Sequence, residues 1–451
     1  MMKEIELLKK TLNNCKQLDG WKINLQSSEK NNLYCSKQFE KESHLMSKRV
    51  NIEITIYKRF KKEIGDAAFS MLIDEITEEA VNKKIAEQLI VCEYAKKKYY
   101  SLPSPENLSE EYKKVNIYDP IFDDQLKVKQ KIEELFAQVQ QNLKRYSNIF
   151  LNGLEFLTEK TNCIVLNSNG INLEQNKSHI HVECVITAKK DFVENEFLFE
   201  LDVINFDDIN IPEIIKENVS AVNDLLQAES PKAVIRKVIL TQKALKEFFA
   251  PHLSLNPLIA HASARLKYMD LSVYKKDSPI INHVKGDKLT IVSNPFLNNN
   301  LSSQLFDGDG IISKKIILIE DNLFKDYFAA NRYAQYLNIL PTGALGSIEV
   351  KPGKISEAEI YLNKQECYEI VSFASFAPNY ISGDFSAEIR LGYIIKNNNG
   401  KLIKKPFRGG MFTGNIFTLL QDVTLSKETM ITDGYNGPKA VRFNKAMIAG
   451  L

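Results

Sequence analysis

Self-contained catalytic signatures are missing from this sequence. It has no Walker phosphate loop, no Gly-x-Ser-x-Gly elbow, no His-Glu-x-x-His and no Gly-x-Gly-x-x-Gly at a strand-to-helix turn. Cysteine is sparse and scattered: Cys15, Cys35, Cys92, Cys163, Cys184 and Cys367 form no Cys-x-x-Cys pair. Neither a zinc ribbon nor a thioredoxin-type site is signalled, and the six read as reduced thiols. Long apolar runs are lacking too. The N-terminus, MMKEIELLKKTLNNCKQ, mixes charges every few residues and has no secretory apolar region. No stretch approaches the roughly 18 apolar residues of a membrane helix, so the expectation is a cytoplasmic protein without a membrane partner. An excess of one charge is also absent. Fifty-nine basic against 57 acidic side chains leave +2, too balanced for a broad nucleic-acid surface, and no nucleic-acid partner is expected. The short runs at Lys58 to Lys62 and Lys96 to Lys98 read as solvated faces.

What is present is a chain of 451 residues with 44% hydrophobic and 26% charged residues, enough for sizeable cores in two or three units. Apolar residues at helical spacing predict helices over Ile5 to Leu18, Ile76 to Ala95, Asp123 to Tyr146, Ile211 to Leu226 and Gln242 to Phe249. Between Trp21 and Tyr57 the pattern turns to short alternating runs, read as strands. NGLEFLTEKTNCIVLNSNG predicts a hairpin at its Asn-Gly, followed by the strands HIHVECVITAKK and NEFLFELDVINF. AVIRKVIL reads as a buried strand. Beyond Asp270 strand follows strand, including KLTIVSNP, KKIILIED, GSIEVKPG, CYEIVSFASF, FSAEIRLGYIIK and KAMIAG. The fold class is therefore α+β. Mixed α/β units over residues 1–105 and 106–228 precede a mostly antiparallel, barrel-like, β-rich C-terminal domain over 229–451.

The histidines are few. His179 and His181 alternate in a strand and share a sheet face, a spacing two metal ligands could use. Without a third ligand nearby in sequence, a solvent-facing pair is the preferred reading. His44, His261 and His283 are isolated and read as surface or lightly buried residues.

Four stretches in order resemble one known family. They are EIGDAAFSMLIDEITEEAVNKKIAEQLIVCEYAKKKYYSLPSPE, the hairpin CIVLNSNGINLEQ, the segment LFDGDGIISKKIILIEDNLFKDYFAANRYAQYL, and ISGDFSAEIRLGYIIKNNNGKLIKKPFRGGMFTGNIFTLLQDV with the terminal MIAGL. Together they resemble the TldD/PmbA family, also called modulators of DNA gyrase. The fit is looser over Asn363 to Glu369 and Asp433 to Phe443. The resemblance implies a metallopeptidase family with two branches, one carrying His-Glu-x-x-x-His at the start of its C-terminal domain and a PmbA (TldE) branch without it. Metal-assisted hydrolysis needs imidazole ligands, a further ligand and a carboxylate to take a proton from bound water. Here the matching helix reads Leu245-Lys246-Glu247-Phe248-Phe249-Ala250-Pro251-His252. With His252 at the second histidine, Glu247 occupies the first and Phe248 replaces the general base, which an apolar side chain cannot do. The cysteine ligand of the metal-binding branch is missing as well, Asn436 and Gly437 standing in that region.

The resemblance thus implies a PmbA-like subunit with no catalytic residue and no metal or other cofactor of its own. Zinc or another divalent metal would belong to a TldD-like partner in a heterodimer acting on extended or unfolded peptides. The alternative is a free-standing peptide-binding or scaffold homodimer without hydrolysis. Candidate peptide-binding positions are Ser382, Gly383, Asp384 and Ser386 in ISGDFS, Gly409 and Gly410, and Thr413, Gly414 and Asn415. Glycine turns there expose backbone or allow close approach. A plain structural turn and a helix N-cap at Asn415 are the competing readings.

Overall fold

The computed structural model describes residues 2–36, 41–105, 114–251, 256–362, 366–398 and 401–450. Seven strands form one antiparallel sheet: β1 (Gly20–Cys35), β2 (Lys41–Phe60), β3 (Glu63–Met71), β4 (Lys96–Lys98), β5 (Ile149–Asn167), β6 (Asn172–Lys190) and β7 (Val193–Val203), in the order β4-β3-β2-β1-β5-β6-β7. β1 pairs with β5 from Lys22 opposite Asn167 to Cys35 opposite Leu154. The sheet therefore runs unbroken across the expected boundary at residue 105, while the cores on it remain two. Helices α1 (Met2–Asn14) and α2 (Glu78–Tyr94) cover Trp21, Ile23, Leu25, Ile52, Ile54 and Ile56. α3 (Gln125–Leu143) and α4 (Ile211–Gln227) cover Leu154, Phe156, Ile180 and Val182.

α2, α3 and α4 lie close to the sequence expectation because their starts are set locally, whereas α1 ends at Asn14, four residues before the expected Leu18. Thr77 caps α2 through the Ala80 amide, Asp124 caps α3 through Leu126 and Lys127, and Asn210 caps α4 with a proline in its first turn. The strands depart from expectation. Where short runs were anticipated, β2 has 20 residues and β5 and β6 have 19 each. Polar stretches such as Ser28 to Asn32 stay extended because β2 and β5 flank them on both sides, a support no local pattern reveals.

In the C-terminal part, β8 (Val234–Thr241) joins strands Cys367–Pro378, Asp384–Asn398, Met411–Asn415 and Ala440–Ala449 in a closed five-stranded barrel. Four of its pairings are antiparallel. The β8 pairing with Cys367–Pro378 is parallel, Tyr368 facing Val238. A six-stranded sheet built on Ile291–Asn294, Ile316–Glu320 and Ser347–Val350 packs into the same core. Among the described residues no helix is long and apolar enough to cross a membrane.

Candidate functional site

Helix α5 (Gln242–Phe249) follows β8 directly and presents two unlike faces. Ala244, Leu245, Phe248 and Phe249 are fully buried. The Phe248 ring lies 5.2 Å from Phe249, 6.2 Å from Phe376, 6.3 Å from Phe385 and 5.2 Å from Phe443. Phe248, which the sequence aligns with the motif's glutamate, thus belongs to the aromatic core of the barrel. On the other face Lys243 reaches Glu200 of β7 at 2.5 Å and Glu247 at 3.9 Å, and Lys246 stands 4.0 Å from Asp433. Burial pushes the Glu247 carboxyl above the ordinary glutamate value, against the pull of Lys243 and Lys246. His252 lies outside the described residues. Asn436 donates from its amide to Glu349, and Cys367 is sealed in an apolar cluster with Ile239 and Ile360. Among the described residues of α5, the positions aligned with the motif's first histidine and its glutamate carry the Glu247 carboxylate and the apolar Phe248 ring.

Across from α5, the front of the seven-stranded sheet carries what the sequence left as a lone pair. Alternate residues of β6 share this front, opposite to Ile180 and Val182. Leu173 packs against Phe306, Gln175 accepts from the Leu305 amide at 3.1 Å, and Lys177 donates to the Leu301 carbonyl at 2.9 Å. The next two in the row are His179 and His181. Asp202 on β7 lies directly opposite His181. His179 Nε2 donates to Asp202 Oδ1 at 2.8 Å and His181 Nδ1 to the same oxygen at 2.9 Å. Burial alone would raise the Asp202 carboxyl, but these two hydrogen bonds hold it well below the usual carboxylate range, and the Asp202 bond raises His181. The pair is therefore tied to a neighbouring strand rather than simply facing solvent. Asp202 sits 21 residues from His181, too far for sequence spacing to reveal and obvious only in the register.

The candidate peptide-binding residues split. Ser382 Oγ donates to Asp384 Oδ2 at 2.7 Å, and the Asn415 amide donates to Asp384 Oδ1 at 2.9 Å and to the Ser382 carbonyl at 2.8 Å. Asn415 Oδ1 caps the helical turn Ile416–Leu419 through the Phe417 and Thr418 amides. Gly383 has φ +80°, and a Cβ there would stand 2.8 Å from the Phe417 ring. His261, which the sequence placed at or near the surface, is fully buried. Its Nδ1 accepts from the Val273 amide, so Nε2 donates to the Ile381 carbonyl at 2.9 Å and anchors this turn. The Tyr274 and Phe417 rings lie 5.3 and 5.9 Å from its imidazole, and burial lowers its pKa. Ser386 and Thr413 cannot add a peptide strand. Ser386 pairs with Ala377 on one side and Thr413 on the other, and Thr413 also pairs with Met447, so a ligand can meet them only through side chains. Gly409 and Gly410, at φ +75° and +72°, shape a tight bend in which the Ala449 carbonyl lies 2.7 Å from where a Gly410 Cβ would stand.

The first three resembling stretches converge on one joint. Asn167 and Asn169 of the hairpin donate to the Pro103 and Leu102 carbonyls, and Gly310 of Asp307-Gly308-Asp309-Gly310 packs on Ile171. In the Asn331–Leu337 helix, Asn331 and Gln335 donate to the Ser101 carbonyl. Beside this joint lies a recess of about 340 Å³ whose walls include Lys22, Tyr57, Asp66, Tyr100, Asp309 and Arg332. Lys22 is paired with Asp309 at 2.6 Å, and Asp66 with Lys97. No short-range motif marks these residues.

Residues 236–450 match the family described as PmbA/TldA metallopeptidase C-terminal domain. A zinc metalloprotease TldD homologue of Saccharolobus solfataricus is 24% identical over 272 residues, 54% of this chain and 58% of that protein. The matched stretch spans about half the length of the curated relatives. In fold, the chain is similar to a protein named as a modulator of DNA gyrase from Thermotoga maritima, with TM-score 0.80 and 18% identity over 99% of this chain and all of that one. It is likewise similar to TldE from Thermococcus kodakarensis, with TM-score 0.74 and 19% identity over 99% and 100%. Residues 236–450 thus match the C-terminal domain of the TldD/PmbA family, and the fold of the whole chain is similar to that of these solved structures.

Proposed function

We propose that this chain is the PmbA/TldE-type subunit of a two-component metallopeptidase acting on extended or unfolded peptides, and that it does not itself carry the family's catalytic metal. The observation behind this reading is α5, where Glu247 replaces the first histidine and Phe248 is locked in the barrel core. Phe248 cannot serve as a general base, and no rotation brings a proton acceptor to its place. Zinc or another divalent ion would reside in a TldD-like partner, for which this chain completes the cavity. The turn in which exposed Ser382 and Asp384 flank buried Gly383, with the side chains of Ser386 and Thr413, is the proposed contact for peptide. Its hydrogen bonds are already satisfied internally, so contacts there would be few and selectivity low.

The test is reconstitution with a metal-bearing TldD-like chain from the same genome. Peptidase activity should appear only on mixing, survive His252→Ala in this chain, and vanish when the partner's motif glutamate is changed. Hydrolysis of unfolded peptides by this chain alone would overturn the assignment. Full activity from the partner alone would remove the role proposed for this subunit.

A further inference from the structure

The front face of the sheet holds three metal-ligand atoms in a ready arrangement. His179 Nε2, His181 Nδ1 and an Asp202 carboxylate oxygen lie within 4.8 Å of one another. Zinc binds imidazole and carboxylate at about 2.0–2.2 Å, which puts ligand atoms about 3.3 Å apart. A shift of about 1 Å or less in side-chain position would reach that geometry. Two imidazole N–H groups now converge on one carboxylate oxygen at 2.8 and 2.9 Å. A dication at that point would satisfy both nitrogens and the carboxylate together, replacing the two shared protons.

The backbone is already placed. His179 and His181 stand two apart on β6, and β7 sets Asp202 opposite His181 in a ladder that runs unbroken from Ile180 to Lys190. The side chains keep 32%, 22% and 32% exposure, so an ion can enter and at least one position stays open to water. Further carboxylates adjoin, since Glu183 faces Glu200 one step along the same row. We propose that His179, His181 and Asp202 form a binding site for a divalent transition-metal ion of the zinc type, distinct from the family's motif on α5. Two nitrogen donors with one oxygen favour zinc, nickel, cobalt or copper over magnesium and calcium, which take oxygen ligands. The site lies between the strip that grips Leu301 to Phe306 and the Glu200 to Lys243 bridge to α5. An ion there would sit on the sheet face turned toward the barrel domain.

The experiment uses the full-length chain without a histidine tag, stripped with a chelator and re-equilibrated with buffered Zn²⁺. Bound metal is counted by mass spectrometry, and Co²⁺ is used as a visible-absorbance probe. About one equivalent of zinc is expected, with affinity reduced at least about 100-fold in His181→Gln and in Asp202→Asn, and unchanged in His252→Ala and with excess Mg²⁺. Circular dichroism and thermal melting establish that the variants are folded, and Asp202→Asn preserves shape if His181→Gln does not fold. No stoichiometric zinc at micromolar free metal, or zinc binding untouched by both front-face variants, overturns the site. Zinc lost in His252→Ala instead would place the ion at α5, overturning this inference and the reading of α5 as metal-free together.

Discussion

The two faces of the seven-stranded sheet are built from the same strands and do opposite work. On the helix-covered face Ile23, Ile54, Phe156, Ile180 and Val182 are buried at 0 or 1% exposure. One residue along, on the face turned to the barrel, stand Lys22, Tyr57, Asp66, Lys177, His179 and His181, which hold or bind rather than fill. A strand alternates its side chains, so apolar burial and polar chemistry can be assigned independently at neighbouring positions. The stability of the N-terminal half should therefore come from the back, and its specificity of docking from the front.

The largest effect that tests this contrast is Phe156→Ala on the back, which should cost about 3–5 kcal/mol in urea unfolding by leaving a cavity. A loss below about 1 kcal/mol would mean that the helices do not depend on that core. At the joint on the front, Gly310→Ala puts a side chain on a residue with φ +82°, with Ile171 Cγ2 2.6 Å from the new Cβ. It should cost about 1–3 kcal/mol and speed limited proteolysis between the sheet and barrel domains, whereas Phe156→Ala acts on the sheet core itself.

A smaller effect is set by Asp307, whose carboxyl accepts from the Asp309 and Ile311 amides. Burial first, then the neighbouring Asp309, push its pKa up to about 6. Its folded pKa lies above the unfolded value, so the stability it contributes is fully present below about pH 4 and is lost as pH rises through about 6. Asp307→Asn keeps the acceptor without the charge, and should gain about 1–2 kcal/mol relative to wild type between pH 4 and 7. A difference that stays flat over that range would show that the carboxylate is not penalised. Smallest of all, His181→Gln without metal should change stability by under about 1 kcal/mol, since its hydrogen bond is partly exposed. A loss comparable to Phe156→Ala would place His181 among the structural residues and erase the distinction between the faces.

Most of the architecture was legible because local signals were strong. Periodic helices such as α4, capped by Asn210, and α5, which has no side-chain cap, were found within a residue or two, and the Asn-Gly turn marked the β5 to β6 hairpin. The full lengths of β1 and β2 were not legible, because Ser28 to Asn32 carries no alternating apolar pattern and is held by its neighbours on both edges. His261 was misplaced for a related reason: a lone histidine shows nothing of the Ile381 carbonyl and Val273 amide that satisfy both its nitrogens. Phe248 could be seen in the sequence as a poor base, but its place in the barrel core emerged only when Phe376, Phe385 and Phe443 arrived from distant strands.

By itself the sequence determined the kind of elements, the β-rich character of the C-terminal part and the absence of a His-Glu-x-x-x-His motif, since each depends on residue types a few positions apart. Only the tertiary structure decided that one sheet spans two cores, that five strands close into a barrel whose core receives one face of α5, and that Asp202 meets His179 and His181. Those outcomes depend on strand register and closure, which join residues tens to hundreds of positions apart and leave no mark in any short window of the chain.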